Sequence, residues 1–234
     1  LRRAIARRAL ENGCDISPAN ILITNGCVEA LNLALRAVAK AGDTIALESP
    51  TYFAMLQLIE SHGMKALEIP THPRTGLSLE AFDLATRKRG AVTARMTTPS
   101  FANPLGAVMP DETRKALAAL CEERGVTVIE DDIYGDCAFD GTRPLPIKAW
   151  DGAGNVILCS PSGGYVLWAE LPPKVDTVAL FRRARAEKIL LAPGAVFTNT
   201  SHFRNALRLS FGLPDVPRVE QAIARVGRLA AEAL

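Results

Sequence analysis

The chain is 234 residues long, 48% hydrophobic and 22% charged, with a formal net charge of +2 and both signs interspersed. That length supports a sizeable core in one large domain with a smaller companion, and the balanced charge offers no basic footprint for nucleic acid or an anionic membrane. The five cysteines (Cys14, Cys27, Cys121, Cys137, Cys159) include no CxxC, which argues against a disulfide scaffold or zinc site and for a reducing compartment, and His62, His72 and His202 form no metal-ligand pair.

Leu1, Ile5, Ala9 and Leu10 predict an amphipathic helix over residues 1–12, stopped by Asn12-Gly13. The chain begins inside this helix without a methionine, so it is expected to be part of something longer. The basic clusters Arg2, Arg3, Arg7, Arg8 and Arg182, Arg183, Arg185 fall in helical patterns and read as solvated faces. No apolar run reaches the length of a membrane span and no signal peptide opens the chain, which makes the cytoplasm the expected compartment.

Ser17-Pro18 leads into the apolar run Ile21 to Thr24, read as a short strand. Asn25-Gly26-Cys27-Val28-Glu29-Ala30 then opens an amphipathic helix to about Ala39. A glycine turn from strand to helix aims backbone N–H groups and the positive end of the helix dipole at one spot, which suits a phosphate. There is no GKS/T and no GxGxxG, so neither a nucleotide P-loop nor a dinucleotide fold is expected.

Gly42-Asp43 turns into a strand from Thr44 to Glu48, followed by Ser49-Pro50-Thr51-Tyr52-Phe53. Tyr52 at that strand's end reads equally as a ring that stacks on a flat ligand or as a core aromatic. A helix over 53–62, a strand from Ala66 to Ile69 and a loop with Thr75-Gly76-Leu77 continue a regular α/β alternation. A strand from Ala94 to Thr98 ends in Pro99 to Gly106, where Asn103, held extended by Pro104, presents its amide rigidly. A helix over 111–124 runs into the buried strand Thr127 to Glu130, with Asp131 and Asp132 at its carboxyl end and Tyr134 just beyond. Ligands gather at the carboxyl ends of strands in open α/β sheets, although an Asp-Asp pair in isolation is more often a cap or a solvated loop.

Taken in order, Asn25-Gly26-Cys27, Pro50-Thr51-Tyr52, Asn103-Pro104-Leu105-Gly106 and Asp131-Asp132-Ile133-Tyr134 resemble the large domain of fold-type I pyridoxal 5′-phosphate (PLP) enzymes, the aspartate aminotransferase superfamily. Pro161-Ser162-Gly163-Gly164-Tyr165-Val166-Leu167-Trp168, Ala192-Pro193-Gly194 with Phe197, and Leu207-Arg208-Leu209-Ser210-Phe211 are similar to its C-terminal part. The wording EALNLALRAV, ESPTYF, NPLG, MPDE and IEDDIYGD most resembles the aminotransferase-like domain of MocR-type GntR regulators. The resemblance implies an α/β fold with a mixed, mostly parallel sheet flanked by helices over 13–160, and a small α+β C-terminal domain over 161–234.

It also implies a site. Backbone N–H groups at Gly26, Cys27 and Val28 would hold the cofactor phosphate, and Tyr52 would stack on the pyridine ring. Asn103 and Tyr134 would bond the phenolic oxygen, and Asp131 would pair with the ring nitrogen. Arg208 would receive the carboxylate of an amino-acid substrate or effector through its guanidinium fork. Cys27 and Val28 stand where the superfamily often has more polar side chains, which leaves the phosphate mostly to backbone donors.

The superfamily's Schiff-base lysine has no counterpart here. It follows the strand equivalent to Asn155–Cys159, but this chain passes from Ser160 straight to Pro161, and none of Lys40, Lys65, Lys88, Lys115, Lys148, Lys174 or Lys188 has the right context. Without it, no catalytic residue is assigned and transamination as written is not possible. Either residues are left out at this point or a core strand and an inter-domain helix are deleted. The exposed apolar surface that deletion would leave favours the former. Two functions are expected in that order: the effector domain of a regulator whose DNA-binding domain lies upstream of Leu1, or a free-standing aminotransferase acting on amino acids and 2-oxo acids. Both imply a homodimer.

Overall fold

The computed structural model describes residues 1–152, 154–159, 166–210 and 216–233. Helix α1 (Arg2–Glu11) is followed by a 3-10 turn at Pro18–Asn20, α2 (Cys27–Val38), β1 (Thr44–Ser49), α3 (Phe53–Ser61), β2 (Lys65–His72) and β3 (Gly76–Leu77). Then come α4 (Leu79–Thr86), β4 (Ala94–Thr97), α5 (Asp111–Arg124), β5 (Thr127–Asp131) and β6 (Val156–Cys159). The remainder is β7 (Val166–Glu170), α6 (Thr177–Ala186), β8 (Ala192–Pro193), β9 (Ala206–Ser210) and α7 (Val216–Ala231).

The main sheet has the order β3-β2-β1-β4-β5-β6, parallel except for β3, which folds back antiparallel on β2. Its central strands are buried on both faces, as parallel strands covered by crossover helices must be. On one face Leu31 and Leu35 of α2 and Met55 and Ile59 of α3 pack with Ile45, Leu47, Met96 and Ile129. On the other, Phe82 of α4 and Leu117 and Cys121 of α5 pack with Ala46, Ile69 and Val128. Helix α5 stops at Gly125, which takes the left-handed conformation (φ 69°) that glycine tolerates.

A second, antiparallel sheet of order β7-β9-β8 carries its own apolar cluster, in which Leu180 and Ala184 of α6 meet Leu207 and the Val226, Leu229 and Ala230 face of α7. The two sheets are fastened by polar contacts. The Thr51 amide donates to the Phe197 carbonyl (3.0 Å), and Glu68 of β2 accepts from Thr198 Oγ1 (2.6 Å) and the Asn199 amide (2.8 Å).

Two expectations need correction. Ile21 to Thr24 form no strand: the segment is extended at Ile21 but irregular, with Leu22 70% exposed. An apolar run becomes a strand only if a neighbour accepts its ladder, and β6 is the edge of the described sheet. Conversely Gly76-Leu77, read as loop, forms β3 because its backbone pairs with Thr71 and His72.

Candidate functional site

Strands β1, β4 and β5 run parallel, so their carboxyl ends open on one edge of the sheet. The segments that leave them carry Tyr52, Asn103, Asp131 and Tyr134, and all four line one cavity of about 310 Å³. Cys27, Val28 and Leu31 of α2 form another wall, and Val166, Arg208 and Ser210 reach in from the small sheet. Seven of the eight expected site residues therefore meet at one place. The eighth, Gly26, is the N-cap of α2 at φ 99°, ψ 172°, a conformation open essentially to glycine alone.

The N-cap of α2 is Gly26, which has no side chain to cap the helix. Thr24 Oγ1 donates to the Gly26 carbonyl (2.9 Å), and Glu29 accepts the Asn25 amide, which fixes the turn before the helix. The helix start consequently presents the positive end of its dipole to the cavity, the ordinary receptor for a phosphate or other anion.

Asp131 is 4% exposed. Its Oδ1 accepts from the Cys27 thiol (3.3 Å) and the Ile133 amide (3.2 Å). Burial pushes its carboxyl up to about 6 against those two donors, so the carboxylate is poorly compensated without a cation beside it. Its neighbour Asp132 takes the other side of the strand end and pairs with Arg143. The Asp-Asp pair is thus divided between a site and a scaffold.

Asn103 joins the two ends of the cavity. Its Nδ2 donates to the Tyr134 hydroxyl (3.2 Å), and its Oδ1 accepts from Arg208 Nη1 (3.3 Å). Burial raises the Tyr134 phenol above its ordinary value, opposed by the Asn103 bond. Arg208 lies over the Phe197 ring, 5.4 Å from its centroid, and its buried Nε has no hydrogen-bond partner among the described residues. Arg208 also makes no ion pair among them.

Sequence reasoning missed Arg114, a wholly buried arginine on α5. It donates to the carbonyls of Met109 (2.7 Å), Pro99 (2.8 Å) and Leu145 (2.7 Å), clamping both ends of the loop that carries Asn103. It also missed the dry pair of Arg95 on β4 and Glu48 on β1, 2.9 Å apart, with Arg95 stacked on Phe82. Nothing in a sequence marks an arginine as buried. The one available signal was a charge inside an otherwise apolar strand, as at Arg95.

None of the seven lysines borders the cavity; Lys148 pairs with Asp151. The junction of Ser160 and Pro161 lies outside the described residues. A larger cavity, about 500 Å³, sits between α1, residues 20–24, α2 and Val156. Of its charged residues, Arg8 and Arg143 both pair with Asp136, Arg143 pairs also with Asp132, and Lys148 pairs with Asp151; the expected site residues line the other cavity. Among the described residues no helix is long and apolar enough to cross a membrane, and no cluster of His, Cys, Asp and Glu could hold a metal.

The sheet, its carboxyl-edge cavity and the second small sheet define an α/β domain with the fold of PLP-dependent aminotransferases. The chain belongs to the aminotransferase class I and II family, whose model matches residues 1–160. It is 29% identical over 313 residues to the HTH-type transcriptional regulator YjiR of Escherichia coli, covering 97% of this chain and 66% of YjiR. That alignment is longer than the whole chain, so YjiR carries interior residues without a counterpart here. The HTH-type regulator YdcR of the same organism is 41% identical over 160 residues, 68% of this chain and 34% of YdcR. The chain thus spans about two thirds and one third of these relatives. LysN, the α-aminoadipate aminotransferase of Thermus thermophilus crystallised with N-(5′-phosphopyridoxyl)-L-leucine, superposes with a TM-score of 0.89 at 22% identity, over 99% of this chain and 81% of that one.

Proposed function

We propose that this chain is a PLP-binding, aminotransferase-like effector domain of a GntR/MocR-type transcription regulator. One observation carries the reading: an anion-receiving helix end, a buried carboxylate, a phenol–amide pair and an arginine with no acidic partner among the described residues surround one space that none of the described amines enters. The kinship with YjiR and YdcR supports the regulatory side.

The residues fit the cofactor. Asp131, dry and short of a counter-charge, suits a protonated ring nitrogen and would hold the proton there. Tyr134, steadied by Asn103, would donate to the phenolic oxygen, and the ring of Tyr52 would lie against the pyridine. The turn at Gly26, Cys27 and Val28 would receive the phosphate through backbone donors. Arg208 would take the carboxylate of a small amino compound. PLP supplies an electron-withdrawing ring when bound. None of this chain's lysines lines the cavity, so the part that its described residues play is to bind and orient. On this reading residues 13–160 form the cofactor domain and 161–234 the small domain, a homodimer completes the cleft, and DNA is bound by a separate domain in the cytoplasm.

The test is a titration of the purified chain with pyridoxamine 5′-phosphate (PMP), followed by Trp168 fluorescence, in parent, Asp131→Ala and Tyr134→Phe forms. A gel shift of the protein from the whole reading frame on its own promoter DNA, with and without ligand, then addresses regulation. Saturable binding weakened at least tenfold by Asp131→Ala is expected. Absence of binding, or amino transfer to a 2-oxo acid faster than with free PLP, refutes the proposal.

A further inference from the structure

We propose that the outer face of α6, with the seam where it packs on α7, is a docking surface for the phosphate backbone of duplex DNA. This goes beyond the reading above, in which a separate domain recognises DNA, and takes from it only the identity of the partner. The contact is independent of base sequence.

The balanced charge of the whole chain conceals a division. Residues 1–160 hold 17 Lys and Arg against 19 Asp and Glu, whereas residues 161–234 hold 10 against 6. Much of that excess is collected on one helix. Every exposed residue of α6 is arginine or alanine: Ala179, Arg182, Arg183, Arg185 and Ala186. Exposed Lys188 follows the helix, and exposed Arg228 stands on α7.

The acids of this surface are already engaged. Arg225 grips Glu187 with both arms of its fork, at 2.6 Å each, and Arg183 and Arg225 both pair with Glu232. The Glu187 carboxyl is held below its ordinary value first by Arg225 and further by the charges of Arg183 and Arg228, so three arginines share it. At the start of α6, Asp176 is taken by Arg204. Arg182, Arg185, Lys188 and Arg228 make no ion pair among the described residues. Helix polarity does not account for them: a helix C-terminus carries the equivalent of about half an elementary charge, which a single arginine more than balances.

The make-up of the face selects the partner. Protein interfaces centre on apolar or aromatic anchors, and α6 exposes none. Cations without anchors suit a polyanion whose charges repeat along a rod and whose counterions are released on contact. The guanidinium fork matches phosphate bidentately, and the small side chains of Ala179 and Ala186 leave room for a wide duplex to lie close to the helix. The face is also held in shape before DNA arrives, because Leu180 and Ala184 of α6 are packed in one apolar cluster with Val226, Leu229 and Ala230 of α7. Helix α1 supplies the contrast. Its Arg2, Arg3 and Arg7 are exposed too, but they share the helix with exposed Glu11 and belong to the part of the chain with an excess of acid.

The experiment is fluorescence anisotropy of a fluorescein-labelled duplex of mixed sequence, about 24 base pairs long, titrated with the 234-residue chain at 25, 50 and 100 mM KCl. One phosphate neutralised by each of the four unpaired cations gives a slope of about −3.6 in log K against log salt, or about twelvefold weaker binding per doubling of KCl. The triple variant Arg182→Gln/Arg185→Gln/Lys188→Gln should flatten the slope to about −1 and weaken binding at 50 mM KCl at least tenfold. Arg2→Gln/Arg3→Gln/Arg7→Gln removes the same net charge from α1 and should stay within about twofold of the parent. Arg182→Lys/Arg185→Lys keeps the charge and should keep the slope, which separates lost charge from a lost fold. No saturable binding by the parent at 25 mM KCl, or equal loss in the two triple variants, overturns the proposal. Displacement of the duplex by poly-L-glutamate as readily as by unlabelled DNA of equal charge also overturns it and marks an acidic protein as the partner. The PMP titration, run on the same variants, reads the cofactor site separately, so failure here and failure there are told apart.

Discussion

Replacing Asp131 with Asn should stabilise the ligand-free fold while weakening ligand binding. The Asp131 carboxyl is raised from 3.8 to about 6, with burial as the chief cause. A group that holds its proton more tightly folded than unfolded weakens the fold as pH rises between those two values. Well below pH 3.8 both states are protonated and nothing is lost; well above pH 6 the full difference, about two units or roughly 3 kcal/mol, is lost. Asparagine removes the titration, and its amide oxygen can still accept from the Cys27 thiol and the Ile133 amide. For a chain of this size 3 kcal/mol corresponds to about 6–12 °C in Tm. Thermal unfolding followed by circular dichroism at pH 4, 5, 6 and 7 should show parent and Asp131→Asn together at pH 4 and the variant increasingly higher up to pH 6. A variant that melts below the parent at pH 7, or a gap independent of pH, refutes the reasoning. The same variant should bind PMP more weakly, because a neutral amide cannot balance a ring cation.

Glu130, pushed up to about 8 by burial and next by Asp132, should make urea stability fall by about 1.4 kcal/mol per pH unit between pH 6 and 8, read from midpoints at constant m-value. Glu48→Ala leaves Arg95 buried without its carboxylate and should cost about 3–5 kcal/mol in chemical denaturation. Arg114→Met abandons three carbonyls, those of Met109 and Pro99 buried and that of Leu145 half-buried; a loss on the order of 3 kcal/mol is expected, with faster amide exchange at residues 99–109. In Gly194→Ala the new methyl would lie 2.2 Å from the Phe203 carbonyl oxygen and 2.7 Å from that of Ala206. That should lower soluble yield and Tm, since neither oxygen is a flexible side-chain end.

The elements with strong periodicity and clear stops were legible from sequence. Helix α5 runs over the expected 111–124, and β1, β4 and β5 lie within a residue of their expected ends, because their pattern and punctuation agree. The assembly of the site was legible through order: segments at successive strand ends of a parallel sheet meet on one edge, and seven of the eight named residues line one cavity. What escaped was non-local. Ile21 to Thr24 has a strand's composition but no partner, and composition carries no information about partners. Thr98, Ile133, Val166 and Ser210 join the lining by position alone. Arg114 and Arg95 look like any surface arginine until the helices and strands around them close.

The bonds through Asn103 have a direction. Arg208 can only donate, so Asn103 turns its oxygen toward it and its nitrogen toward Tyr134. The Tyr134 oxygen is thereby used as an acceptor, and burial keeps its own proton in place. That proton is free of the Asn103 bond, and Tyr134 lines the cavity. A guanidinium on the small sheet therefore sets the polarity of a phenol on the large one, and the pocket offers its occupant a donor where an unbiased tyrosine would offer either sign. Oxyanions are favoured at that position, a preference set by an arginine that never touches the atom it selects.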